Sequence, residues 1–294
     1  MQIRSKAVIA TLLAALLFAT SATSRELSGI DGSSIAIATM RLTIGAVGLL
    51  LFAKFFVKDF SLMHLLRKRI IWLMGLGVAG YQAFFFIGTG LTGVAIGTLS
   101  SLALAPLMAG LLGWVWQGTR PSQIWLKSTL LAVAGLLVLS WSGLQDENVN
   151  VVGVLAAVCA GAAYALFTVV GVKISQSGES ATSVLAVSFS IGAFVLLLVG
   201  GSQVGEILQG NGIWLALWLG LVATTLAYIL FGIGISNLSA GTVATLNLAE
   251  PLAATFLGIV VLRETISLLS AIGCILIAVS LWILAINSAK ESQA

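Results

Sequence analysis

Apolar residues in this chain run in blocks of about twenty instead of alternating at a strand or amphipathic-helix period. Ten blocks can be marked, approximately 6–24, 33–53, 70–89, 93–117, 124–142, 151–173, 180–200, 212–234, 240–262 and 266–287, separated by short polar stretches. About 20 residues at 1.5 Å each cross a hydrocarbon core of about 30 Å. The pattern therefore predicts an all-α integral membrane protein of ten transmembrane helices, with no soluble domain between them.

Composition removes the competing classes. The chain is 59% hydrophobic and 8% charged, with 32 Gly and 3 Pro in 294 residues. Such a sequence is neither soluble, disordered, collagenous nor an outer-membrane barrel. The net charge of +4 would suggest nucleic acid in a soluble domain, but here the basic residues flank apolar blocks and report topology. Arg4, Lys6, Lys54, Lys58, Arg67, Lys68, Arg69, Arg120, Lys127, Lys173 and Lys290 fall on one side, Arg25 and Arg263 on the other, and Arg41 inside a helix. By the positive-inside rule both termini are cytoplasmic and the host is the cytoplasmic (inner or plasma) membrane. Nucleic acid is not a partner; the bilayer and a small-molecule substrate are, and the oligomeric state stays open. Arg4 and Lys6 before an apolar run ending in Ala19–Ala22 also fit a cleavable leader, but cleavage would leave nine spans and remove the first helix of the repeat described next. The eight tryptophans lie towards block ends and are expected to anchor in the headgroup layer.

Sliding the chain against itself by 144 residues aligns Gly88 with Gly232, Gly90 with Gly234, Gly97 with Gly241, Thr98 with Thr242 and Leu102 with Leu246; one residue later, Pro106 meets Pro251 and Gly113 meets Gly258. The inserted residue can be placed at Glu250. Two halves, 1–145 and 146–294, of five helices each would be inverted relative to one another because five is odd. Inverted repeats with a site between them at mid-membrane are the architecture of alternating-access carriers.

Helix 2 reads Ala38-Thr39-Met40-Arg41-Leu42-Thr43 before a leucine-rich run. Helix 9 reads Leu248-Ala249-Glu250-Pro251-Leu252 and ends in Leu262-Arg263-Glu264. With the repeat, this resembles the EamA-like family of the drug/metabolite transporter superfamily over nearly the whole chain. The resemblance implies a ten-helix carrier. The chain departs from the family's frequent Leu-Gly-Glu after helices 4 and 9, having Gln117-Gly118-Thr119 and Leu262-Arg263-Glu264, and has Phe18 where tryptophan is common.

Function should then reside in polar residues within the hydrocarbon. Arg41 lies about 12 Å into helix 2, where a lone arginine costs roughly 2.5 to 3.5 kcal/mol, so it should face the interior, either tying helices together or meeting an anionic substrate group. Glu250, about 15 Å deep, is the candidate proton-coupling group, or else only packs. Pro251 and, at the equivalent place, Pro106 predict paired helix breaks. Gln82, Tyr164, Tyr228 and Asn247 join Arg41 and Glu250 as candidate substrate-binding residues, since lipid cannot satisfy their polar groups. Aromatic faces with a few amides and hydroxyls suit amino acids or similar amphipathic solutes, whereas sugar phosphates would call for several intramembrane cations. No catalytic residue, metal or cofactor is expected. The single histidine, His64, lies in a basic stretch, Cys159 and Cys274 sit alone in apolar runs, and no Gly-Lys-Ser or Gly-Lys-Thr phosphate loop occurs. The expected function is secondary transport, chiefly export; an uncoupled facilitator and an integral membrane enzyme are the alternatives.

Overall fold

A computed structural model describes residues 2–30, 33–118, 120–144, 150–207 and 212–290. The boundary expected at 145/146 lies outside the described residues. Among the described residues, ten helices are long and apolar enough to cross a membrane: α1 Gln2–Ser28, α2 Ser34–Phe56, α3 Arg69–Thr92, α4 Val94–Gln117, α5 Gln123–Leu144, α6 Val151–Gln176, α7 Ala181–Gly200, α8 Gly212–Asn237, α9 Ala240–Val261 and α10 Leu268–Lys290. The chain is a multi-pass membrane protein, and no strand occurs among the described residues.

Several helix starts carry the side-chain caps that orphan backbone N–H groups require. Asn150 accepts from the amides of Val152 and Gly153, Ser180 from Ser183, and Ser239 from Thr242. A short helix, Leu62–Leu66, sits between α2 and α3 on the face that also bears Lys54, Lys58 and Arg67 to Arg69, hereafter the basic face. There Glu179 accepts hydrogen bonds from Lys68 and from His64 Nε2, the latter at 3.1 Å. Chiefly the Lys68 hydrogen bond holds the Glu179 carboxyl below its usual range.

Lipid tails are as apolar as leucine, so close packing holds such helices together. α3 packs on α6 and α7, α8 on α1 and α2, α4 on α6, α9 on α1, and α2 meets α7, α4 meets α9 and α5 meets α10. Exchanging every helix with the one five places along returns these nine pairs, whereas the lesser contacts of α6 with α7, α8 and α9 and of α1 with α10 have no comparable counterpart. Phe167, Phe189 and Phe231 are fully buried where these helices converge. The Tyr228 ring lies among them, 4.2 Å from Phe189 and 5.5 Å from Phe231 between centroids.

Two helices depart from regular geometry. In α8, Trp218–Leu226 is a π-helix, with Thr224 and Thr225 donating side-chain hydrogen bonds to carbonyls five residues back, Leu219 and Gly220. Thr225 also reaches the Gly45 carbonyl of α2 at 3.2 Å. In α9, the segments Ala240–Leu246 and Ala249–Val261 meet at Asn247 and Leu248. Pro251 has no N–H to offer the Asn247 carbonyl; the Glu250 amide takes its place at 2.9 Å, and the Leu248 amide reaches Thr245 O at 3.0 Å. The expected matching break in α4 is absent, because Pro106 lies within an uninterrupted helix from Val94 to Gln117. A proline removes one intrahelical bond, and α4 continues helically on both sides of that loss.

Candidate functional site

Helix α2 is almost entirely apolar, and its eighth residue, Arg41, is about 12 Å from its start. A guanidinium at that depth must face polar company or a cavity. Such a cavity exists, with a volume of about 890 Å³. Its mouth is formed by Arg25, Glu26, Gly29, Ile30 and Ser34 around the α1–α2 turn, and its inner end by Asn247, Glu250 and Pro251 at the α9 break. Arg41, Gln82, Tyr164, Tyr228, Asn247 and Glu250 all line it, drawn from α2, α3, α6, α8 and α9. Pro251 lines it as well; Pro106 does not, α4 contributing Thr98 and Leu102 instead.

The wall is aromatic. Phe18 and Tyr228 stand 4.9 Å apart, and Tyr81 and Tyr164 5.5 Å apart, between ring centroids. Against it stand groups with unspent hydrogen-bonding capacity. The Asn247 amide nitrogen donates to the Tyr164 hydroxyl, while Asn247 Oδ1, Arg41 Nε and Ser21 Oγ are buried without a hydrogen-bond partner. Arg41 and Glu250 bring opposite charges to one cavity, yet among the described residues the ion pairs are those at Glu179. Both charges thus remain available to a third party.

Between this cavity and the basic face lies a packed layer. The Trp125 indole of α5, 7% exposed, presses its six-membered ring against the place where α4 and α9 meet directly at Gly110 and Gly241. Glycine is required at both positions: a Cβ at Gly110 would lie 2.2 Å from Trp125 Cη2, and one at Gly241 2.9 Å from Cζ2 and 3.1 Å from Gly110 Cα. Beside it, the buried hydroxyls of Thr129 and Thr245 join α5 to α9 at 2.8 Å. Beyond this layer, Arg120, Ser122, Ser239 and Thr242 line a separate cavity of about 150 Å³. Trp125 is therefore a buried packing residue that also lines this small cavity, not the headgroup anchor its place near a helix end predicts. Trp72, Trp141, Trp214 and Trp282 are exposed on the outer surface, as anchoring requires.

Sequence reasoning missed the contribution of α1. Phe18, Ser21, Ala22, Arg25 and Gly29 recur at three- and four-residue spacing and form one cavity-facing stripe. That spacing was the available signal. Tyr81, Phe85 and Phe86 also line the cavity, whereas Phe84 is 40% exposed on the outside.

The profile of the EamA-like transporter family matches residues 151–286. The transporter YwfM of Bacillus subtilis is 32% identical over 284 residues, covering 96% of this chain and 95% of its own. The chain belongs to the EamA-like transporter family. Among other members, the threonine/homoserine exporter RhtA of Salmonella typhimurium is 30% identical over 244 residues, 80% of this chain and 78% of its own. RhtA of Escherichia coli K12 is 29% identical over 239 residues, 79% of this chain and 77% of its own. One crystal structure superimposes with a TM-score of 0.79 at 22% identity, covering 99% of both chains, and shows that the fold is shared. The EamA-like helices thus enclose a cavity that runs inward from the α1–α2 turn to the α9 break. Sequence similarity and geometry together make this chain a membrane transporter.

Proposed function

We propose that this EamA-like protein is a secondary exporter of small organic metabolites, of the size and polarity of threonine or homoserine, working by alternating access. The observation that carries the reading is the cavity itself: open at the α1–α2 turn and lined deeper in by Arg41, Gln82, Tyr164, Tyr228, Asn247 and Glu250, with Trp125, packed against Gly110 and Gly241, as the plug between it and the basic face in this reading. A channel would need a path past that layer, and a structural membrane protein would not hold unpaired opposite charges in hydrocarbon at the cost that entails.

In this reading residues 1–145 and 146–294 are inverted repeats, an arrangement supported by helix pairings that survive the five-place exchange. Rocking one repeat against the other opens the basic face as the α1–α2 face closes. The basic face is cytoplasmic in the inner membrane, so the conformation described is the one that releases cargo outward. The six lining residues bind substrate, and Glu250 carries the coupled proton.

The test is flux of labelled L-threonine in proteoliposomes, with and without an imposed pH gradient. Saturable flux driven by the gradient is expected. Saturable flux indifferent to the gradient would make the protein an uncoupled facilitator, and flux no greater than in protein-free vesicles would reject the carrier. Reporter fusions test orientation, with Arg120 expected in the cytoplasm and Gly29 outside; the opposite result would invert the direction.

A further inference from the structure

The inner part of the cavity poses a specific chemical problem. It holds one cation, Arg41 on α2, and one anion, Glu250 on α9, which make no ion pair with each other. Beside the anion, Asn247 Oδ1 is a buried acceptor without a donor, its own amide nitrogen being committed to the Tyr164 hydroxyl. On α2, Arg41 Nε is a buried donor without an acceptor. Groups of this kind are retained at a cost unless a ligand completes them. What completes them must offer an acceptor with negative charge to α2 and donors with positive charge to α9.

From this we infer that the cavity selects free zwitterions: the α-carboxylate of an amino acid lies against Arg41, and its α-ammonium group lies between Asn247 Oδ1 and Glu250. A simple cation would complete Glu250 and leave Arg41 Nε bare, a simple anion would do the reverse, and a neutral solute would satisfy neither. A zwitterion also enters a region whose two charges already cancel, so loading leaves no net charge buried in hydrocarbon. Because Arg41 and Asn247 stand on α2 and α9, the two ends of a small solute bridge helices from opposite halves of the chain. Asn247 is the specificity-determining residue for the ammonium group, and Arg41 for the carboxylate. The inference rests on the carrier reading above and names the solute chemistry it serves.

The experiment is competition against labelled L-threonine flux in proteoliposomes, using L-threonine methyl ester, N-acetyl-L-threonine and O-methyl-L-threonine. The first lacks the carboxylate and the second the ammonium group. The third is an isomer of the first with both charged groups intact and so controls for bulk. The ester and the N-acetyl compound should each compete about tenfold or more less well than O-methyl-L-threonine, the loss expected when a charged hydrogen-bonding group is removed. In Asn247→Ala the penalty on the N-acetyl compound should shrink while that on the ester stays; in Arg41→Gln the pattern should reverse. The wild-type panel decides even if a variant does not fold. If the ester or the N-acetyl compound competes as well as O-methyl-L-threonine, the zwitterion inference falls while the carrier stands. Flux of L-threonine and of labelled ester alike at the level of protein-free vesicles would remove the carrier and the inference with it.

Discussion

Replacing Gly110 by alanine should push the transporter off the conformation described here. The added Cβ would lie 2.2 Å from Trp125 Cη2 and 2.6 Å from Cζ2, where carbon atoms in contact prefer about 3.5 to 4.0 Å. The indole must therefore retreat by more than 1 Å, on the order of the difference between those distances. Gly241 of α9 crowds the same junction, since a Cβ there would lie 2.9 Å from Trp125 Cζ2 and 3.1 Å from Gly110 Cα. Overpacking of this kind costs roughly 1 to 3 kcal/mol. The strain exists only while α4, Trp125 and α9 are closed together, so the equilibrium should move towards opening at the basic face by about 5- to 150-fold. The assay uses a background in which Cys159 and Cys274 are alanine and Thr245, fully buried in the closing layer, is cysteine. A membrane-impermeant maleimide applied from the Arg120 side should label this site several-fold faster when Gly110→Ala is added, and L-threonine flux should fall. Unchanged labelling and unchanged flux would show that the slot is slack and the plug assignment mistaken.

Glu250→Gln should preserve shape and leave L-threonine flux saturable but insensitive to an imposed pH gradient. A variant that follows the gradient as the wild type does would remove the proton from Glu250. Arg41→Ala should impair flux more than Arg41→Lys at equal folded yield, because an ammonium keeps the charge while losing the planar fork; a parallel fall in yield for both would mark Arg41 as a helix tie. Glu179 tests the basic face. Its pKa lies below the ordinary 4.5, so its ionised form stabilises the fold above that value and the contribution is lost as pH falls through the lowered one. Glu179→Gln should therefore melt below the wild type at neutral pH and converge with it in acid; parallel profiles would show that the contact with Lys68 and His64 stabilises nothing.

The ten spans were legible because hydrocarbon imposes its own length on any helix that crosses it, and the structure extends most of them by a few residues, some of them capped, at the ends. The six polar candidates converge on one cavity for a related reason: a polar group inside an apolar run has few places to go. The misses share a different cause. Trp125 reads as an anchor from its place near a helix end, and only Gly110 and Gly241, far away in sequence, turn that place into a slot. The π-helical turn depends on Thr224 and Thr225 meeting α2 at Gly45 and Gly48, a contact that no local pattern announces. Pro106 and Pro251 look equivalent in register, but only the second has neighbouring amides that turn short to cover the lost bond. The α1 stripe was visible at helical spacing, yet its serines and alanines also fit a cleavage site.

The break in α9 answers its own backbone needs, through the short hydrogen bonds of Leu248 and Glu250. Side chains 247 and 250 are consequently free of duty to the helix backbone, although Asn247 also ties α9 to α6 through the Tyr164 hydroxyl, and both project into the cargo space. A lineage could exchange them for other polar groups without refolding the helix, since the scaffold that presents them does not depend on what they are. Divergence of cargo among such proteins would then begin with one helical turn and leave the surrounding helices unaltered.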